Sequence, residues 1–474
     1  MTDKTRPESW DSEFDVVIAG AGGAGLAAAI EAAGAGARTV VFEKQGKIWE
    51  SSTAINVGMV AFAGTDVQQR LGIQDSSDLL YQDIMRVGEN KNDPKLVRAY
   101  ADHQLDTYHW LKDMGVQWAE VATAAAGMSR PRGHFSDPLD MVRILKRKAE
   151  ENGAMVLFHS ALSGLITDSQ GRVIGVEVRE RVKTTRIRAL RSVVLATGGF
   201  ARSPERMAAL DRRFAGVAAT TGLGHTGDAL GMAQPLGAYF RDMEYVKPSY
   251  ELHVAGTSAG DICLIFYLGA IIVNRNGRRF VNESIPYKDI GMASLDQPDG
   301  VGFEVFDRKI FDKAVENTRK AGRTIPSENF VLGLDAARIR LLLQADTIEE
   351  LAGLMRVPRQ AFKDTVDKYN KGVDSGKDPE FGRSHLSASI GDPVRIDTPP
   401  FYAFEAKGHF LSTYAGLAVD DKMHVLTKKG YIPGLYAAGE VIGGFHGASY
   451  HSGAAVGQAL ILGRIAGRNA AQRI

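Results

Sequence analysis

Residues 14–44 read FDVVIAGAGGAGLAAAIEAAGAGARTVVFEK, and the architecture follows from them. The short apolar run Val16–Ala19 has the length of a buried strand, and Leu26–Ala33 continues at helical spacing in strong helix formers. A second apolar strand, Thr39–Phe42, ends at Glu43. Between the first strand and the helix, Gly20, Gly22 and Gly25 form GxGxxG. The first glycine allows a tight turn, the second lets backbone approach a pyrophosphate, the third lets helix pack on strand, and the helix N-terminus supplies a positive dipole. Glu43 falls close to the spacing of about 20 residues expected for an acidic residue on a ribose hydroxyl. The pattern predicts a βαβ unit for a dinucleotide and does not by itself separate NAD from FAD.

Further along, Met155–His159 reads as a third strand, and LSGLITD, a turn at 169–172 and VIGVEVRER read as a hairpin. Val193–Leu195 runs into AlaThrGlyGly at 196–199, again strand then glycine turn. From about Glu244 to Ser412 the glycine clusters fade and proline and charge increase. The rhythm returns with IPGLYAAGE at 432–440, and Gly453–Asn469 closes as a helix of small and aliphatic residues. Two strand ends thus return late in the chain to one nucleotide site, the second carrying Glu440. FAD needs such a distant second half, because its ribityl chain and isoalloxazine lie far from the adenine. The expected fold class is α/β: a Rossmann-like FAD-binding domain from residues 1–243 and 413–474, an inserted α+β capping domain at 244–412, and the active site between them.

Composition narrows the class further. The 474 residues are 44% hydrophobic and 24% charged, which excludes a disordered or fibrous chain. Lys and Arg number 57 against 56 Asp and Glu, so there is no net field to attract nucleic acid. Cys263 is the only cysteine, and the opening MTDKTRPESWDSEFD is too polar for a secretory signal, so a cytoplasmic setting is expected. The longest apolar run, Ile262–Val273, is shorter than the roughly 20 residues a membrane span needs and reads as core or pocket wall. No metal site is expected.

Taken together, GAGGAG with Glu43, SSTAINVGM at 51–59, LATGGF at 195–200, HTGDALGMA at 225–233, VNRNGRRFVNE at 273–283 and GLYAAGEVIGG at 434–444 resemble the fumarate reductase and succinate dehydrogenase flavoprotein superfamily over about residues 14–471. The resemblance implies FAD contacts at Ala24, Glu43, Ser51, Ser52, Gly58, Asp228, Glu440, Ala455 and Val456. The candidate cofactor set is completed by Gly20, Gly22, Gly23 and Gly25 in the first turn, Lys44, Thr53 and Met59 on the next two motifs, and Leu162, Ala196, Thr197 and Gly198. Members that attach flavin covalently use a histidine in the SSTA segment, where this chain has Ser52. Noncovalent FAD is expected.

The departures indicate a branch. Dicarboxylate enzymes of this superfamily carry a histidine after the DMEY segment, a histidine in HTMGG, a proton-donating arginine after NE, and a clamping arginine in GANRLGG. Those places fall here on Ser249, Ser412, Tyr287 and Tyr450. The two tyrosines are similar to those of the flavin-dependent 3-ketosteroid Δ1-dehydrogenases. SIPYKD offers Tyr287 as the group that takes a proton, and SYHSGAA offers Tyr450 and Gly453 to hold a ketone, in a motif one residue shorter than in that family. That family's further tyrosine, early in the chain, has no match here.

Removing a hydrogen beside a ketone builds charge on oxygen, which needs preorganised donors, and a base on the α-carbon. Tyr287 can be that base if its pKa is lowered or its proton is relayed away. The expected function is therefore a flavin-dependent desaturase of a cyclic ketone, either a monocyclic oxo acid such as 4-oxocyclohexanecarboxylate or a 3-ketosteroid. An enoate reductase and an electron-transfer flavoprotein subunit are the alternatives. The electron acceptor is not legible. His451 is a candidate substrate ligand or second base. Lys247, Arg132 and His134 are cationic candidates near the interface, although Arg130, Arg132 and His134 of SRPRGHF read as solvated. Phe266 and Tyr267 of CLIFYLGAII are candidate pocket lining.

Overall fold

The computed structural model describes residues 9–322, 332–387 and 390–472. Its nucleotide half centres on parallel strands in the order Gly430–Ala437, Thr184–Leu195, Ser12–Ala19, Thr39–Phe42 and Met155–Leu157. The register sets Ala19 beside both Phe42 and Leu195, and Leu195 beside Ala437. Four strand ends therefore stand in one row, with the turns that follow them at the edge where open α/β sheets bind ligands. The innermost residues of these strands are buried, as expected of parallel strands covered on both faces. The expected hairpin is Ala161–Thr167 with Val173–Arg179, whose second arm pairs antiparallel with the start of Thr184–Leu195. The third strand ends two residues before the expected His159, because that residue turns into the left-handed region at φ 56°.

The helix Gly23–Gly34 follows the first strand and is overlaid by the last helix, Ala454–Ala470. A Cβ on Gly463 would lie 2.5 Å from the Ala24 carbonyl oxygen, and one on Gly467 would lie 2.3 Å from that of Ala28. Small residues on both helices thus let the two backbones touch and set the middle of the last helix, at Leu460 and Gly463, beside the glycine turn of the first.

The second layer is a sheet organised on the strand Phe401–Phe410, flanked by Val301–Asp307, Ser249–His253 and Leu343–Ala345, with Ile271–Asn274 beyond Val301–Asp307. It also takes in Ala218–Ala219, parallel to His409–Phe410, from before the expected insertion. The helices Arg308–Ala321, Ile348–Met355 and Arg359–Asp374 belong to this half. Its apolar core is distinct from that of the nucleotide half, and it reaches down to Met59, Ala61 and Phe135 and includes Tyr287, Tyr414 and Tyr450. The apolar run 262–273 lies wholly within this core, and the Tyr267 hydroxyl donates to the Ile285 carbonyl. Among the described residues no helix is long and apolar enough to cross a membrane.

Candidate active site

A cleft with about 1100 Å³ of atom-free space, open to solvent, runs along the row of strand ends. Gly20 turns the chain at φ 100°, and a Cβ there would lie 2.4 Å from the Ala196 carbonyl oxygen. A Cβ on Gly25 would lie 1.9 Å from the Gly20 carbonyl oxygen, so both positions demand glycine. Gly22 caps the helix Gly23–Gly34 without a side-chain hydrogen bond, and the first helical turn holds no acidic residue. The positive end of the helix is left for an anion. At the next strand end the Glu43 carboxylate accepts from the Ala21 amide at 2.9 Å and the Gln45 amide at 2.8 Å, tying the two turns together. Lys44 Nζ lies 2.6 Å from Asp228 Oδ2 across the cleft.

Deeper in, Glu440 Oε1 accepts from the Thr413 amide at 2.5 Å, and His225 Nε2 lies 2.9 Å from Glu440 Oε2. Burial opposes the charge on Glu440, yet His225, the Thr413 amide and the Lys288 charge together hold its carboxyl below the usual range. Thr197 Oγ1, on the cleft wall, is buried with no partner among the described residues. An elongated, glycine-walled cleft with a helix N-terminus at one end, ionised Glu440 at the other and an unsatisfied hydroxyl between fits FAD.

Of the expected cofactor residues, Gly20, Gly22, Gly23, Ala24, Glu43 and Lys44 line this cleft. So do Ser51, Ser52 and Thr53, and Leu162, Ala196, Thr197, Gly198, Asp228, Glu440, Ala455 and Val456. Gly25, Gly58 and Met59 stand behind the wall: Gly25 against Gly20, Gly58 against the Ser136 carbonyl, and Met59 in a strand paired to Phe135. The sequence reading missed Asn56, Gly222, His225, Leu411 and Ser412, which also line it. Asn56 and His225 lie inside quoted motifs and were within reach; Gly222 and Leu411 have no local signal.

The tyrosines meet where the last helix begins. Tyr287 and Tyr450 are both buried, with ring centroids 5.7 Å apart in an edge-on arrangement. Burial pushes the Tyr287 hydroxyl well above its ordinary range, and its hydrogen bond to Tyr450 holds the proton further. Burial raises Tyr450 too, to about 12, opposed by the Ala455 amide 3.3 Å away, by the Tyr287 hydroxyl and by the Gly453 amide. The Tyr450 oxygen thus accepts from the Ala455 amide at the start of the last helix, with the Tyr287 hydroxyl acting on it from the facing ring. Gly453, whose amide was expected to face a substrate carbonyl, caps the helix with φ 76° beside Tyr450, and its amide favours the Tyr450 oxygen's charge.

Three expectations are corrected here. Arg132 and His134 are not solvated. Arg132 is fully buried, bidentate to Asp75 at 2.8 Å and bonded to Asp83, while His134 is held between Thr65 Oγ1 at 2.8 Å and the Arg132 carbonyl. Lys247 is neutralised by Asp289 at 2.5 Å. Burial drives His451 down to about 3, so it is neutral, and it packs by Gly127, away from the cleft wall. Only Arg130 is exposed as expected.

With this geometry in hand, comparison with known proteins places the chain. Fold and cleft define an FAD-dependent oxidoreductase acting on carbon–carbon bonds. Residues 15–456 match the FAD binding domain family, and the chain belongs to it, within the fumarate reductase and succinate dehydrogenase flavoprotein superfamily. It is similar to the fumarate reductase (cytochrome) of Shewanella frigidimarina, 33% identical over 467 residues that cover 97% of this chain and 77% of that protein. The open conformation of a flavocytochrome c3 fumarate reductase superposes with TM-score 0.76 at 28% identity, covering 98% of this chain and 79% of that one. The 3-ketosteroid-Δ4-(5α)-dehydrogenase of Rhodococcus jostii RHA1, solved with 4-androstene-3,17-dione, gives the same TM-score and identity and covers 98% of both chains.

Proposed function

We propose that this protein desaturates a cyclic ketone to its α,β-unsaturated ketone, with FAD held noncovalently. The observation that carries the reading is the buried Tyr287–Tyr450 pair, ring centroids 5.7 Å apart, at the N-terminus of Ala454–Ala470, beside cleft residues Ala455 and Val456. The ketone oxygen binds at the Tyr450 hydroxyl and the α-carbon lies against Tyr287. As the α C–H bond breaks, its proton passes to the Tyr287 oxygen, the Tyr287 proton to Tyr450, and the Tyr450 proton to the carbonyl oxygen. The net change is ketone to enol with no tyrosinate formed, which suits two hydroxyls whose pKa values burial raises. Bound FAD supplies the oxidising power by accepting the β-hydrogen as hydride. With the β-hydrogen taken as hydride, the enol proton would return to the Tyr450 oxygen and leave to solvent, and the enone would remain. The helix amides on Tyr450 strengthen it as a donor where charge develops.

The match along both full lengths with a ketosteroid dehydrogenase supports this reading. Of the two substrate classes, a monocyclic oxo acid is preferred to a 3-ketosteroid, because a single cation and the ketone donors suffice to bind it. The 33% identity to a fumarate reductase favours a second reading, enoate reduction. It is disfavoured because Ser249, Ser412, Tyr287 and Tyr450 occupy the places of that branch's clamping and proton-donating residues. Anaerobic mixing of the holoenzyme with cyclic ketones and, after reduction, with enoates tests the choice. Flavin bleaching by a cyclic ketone is expected, and reoxidation by enoates alone would overturn it.

A further inference from the structure

The cations expected to greet a substrate carboxylate are each accounted for elsewhere, and the structure presents one that the sequence reading passed over. Lys288 follows Tyr287 in the first turn of the helix Tyr287–Leu295, where the dipole disfavours a cation. It is buried, and none of its hydrogen bonds goes to a carboxylate. Nζ lies 3.3 Å from both the carbonyl and the Oγ of Ser412 and 3.4 Å from the Lys247 carbonyl, all neutral acceptors. It stands 5.0 Å over the Tyr414 ring and 5.9 Å over that of Tyr450. Glu251 and Glu440 act on it only through space, so an ammonium kept out of water with no carboxylate in hydrogen-bond contact gains when an anion binds against it. Ser412 is the link to the cleft. Ser412 lines the cleft and its hydroxyl accepts from Lys288, which leaves the hydroxyl's own proton to be given to an anion with the lysine charge behind it.

We propose that Ser412 and Lys288 form a carboxylate subsite, Ser412 touching the anion and Lys288 supplying the charge, so that the substrate is a cyclic ketone bearing one carboxylate. This rests on the desaturase reading and names its substrate class. The subsite and the Tyr450 hydroxyl flank the same end of the cleft, since Tyr450 holds the Ala455 amide and Ala455 lines the wall. The charged and titratable groups around Lys288 are Glu251 and Glu440, His446, the Tyr414 and Tyr450 hydroxyls, and the mutually paired Lys247 and Asp289. Burial lowers Lys288 to about 8 against the pull of the two glutamates. It is charged below that pH, so anion affinity is present there and lost above it.

The test is a binding titration of the oxidised holoenzyme, followed by flavin absorbance, with cyclohexanecarboxylate and its neutral counterpart cyclohexylmethanol. Neither carries a ketone to oxidise. The acid is expected to bind at least tenfold tighter than the alcohol at pH 7, the preference falling as pH rises through 8 to 9. Lys288→Met should reduce it to within about threefold of unity, Lys288→Arg should restore most of it, and Ser412→Ala should weaken it severalfold. The wild-type pH profile keeps the proposal testable should Lys288→Met fail to fold. No preference in the wild type, an unchanged preference in Lys288→Met, or a shift of the flavin spectrum or potential in that variant without loss of preference would overturn it. If the preference behaves as expected while no cyclic ketone bleaches the flavin, the subsite stands and the desaturase reading falls.

Discussion

Replacing both tyrosines, singly and together, separates a shared relay from two independent roles. In Tyr450→Phe the lost oxygen is the acceptor for the Ala455 amide at 3.3 Å, so that part-buried donor is left unpaired. Leaving a buried donor unsatisfied costs about 1–3 kcal/mol, and this bond is long and part-buried, so a stability loss of about 1 kcal/mol in urea unfolding is expected. For the rate, loss of one donor at a developing oxyanion costs roughly 10²–10³. Tyr287→Phe removes the group proposed to receive the α-proton and should cost about 10²–10⁴. If the two acted independently the double variant would lose roughly the product, on the order of 10⁵. If Tyr287 passes its proton to Tyr450 as proposed, removing either breaks one chain, and the double variant should be no more than about tenfold slower than the worse single. Anaerobic stopped-flow reduction of the flavin by 4-oxocyclohexanecarboxylate reads all four proteins, each checked for bound FAD. Multiplicative losses, or a single variant at the wild-type rate, would refute the relay.

Burial keeps both tyrosines protonated near neutrality, so flavin reduction by an uncharged cyclic ketone should be nearly flat between about pH 6 and 9. A tenfold rise per pH unit would instead identify a free tyrosinate. Gly25→Ala should give protein depleted of FAD and destabilised by about 1–3 kcal/mol or more, because its methyl would collide with the Gly20 carbonyl; absorbance and thermal melts check both. Burial works against the charge on Asp83, yet hydrogen bonds from Arg86 and Ser129 and the Arg132 charge hold its carboxyl at about 2. Its unfolded pKa is near 3.9, so this contribution is present above about pH 4 and lost as pH falls towards 2; the acid slope of urea midpoints should shrink in Asp83→Asn. Acid precipitation should leave the flavin in the supernatant, since Ser52 stands where covalent relatives have histidine; pelleted flavin would contradict this.

How much was legible beforehand depended on the range of the interactions. Val16–Ala19, the helix after Gly22 and Thr39–Phe42 were readable because hydrophobic period, helix propensity and the glycine turn act over a few residues. Most of the cleft followed as well, because its walls are strand ends whose glycines leave a local trace, and the two tyrosines stood out by type and place. Tertiary structure alone decided how these groups behave. Lys288 and Arg132 look alike in sequence, each a cation beside a proline-containing turn, and nothing nearby says that one is buried with only neutral acceptors while the other is clasped by two aspartates. Likewise the proton affinity of Tyr450 depends on the amide of a helix that starts more than 160 residues after Tyr287. Charge state and proton affinity are set by desolvation and by partners brought together through folding, and those cannot be read from neighbours along the chain.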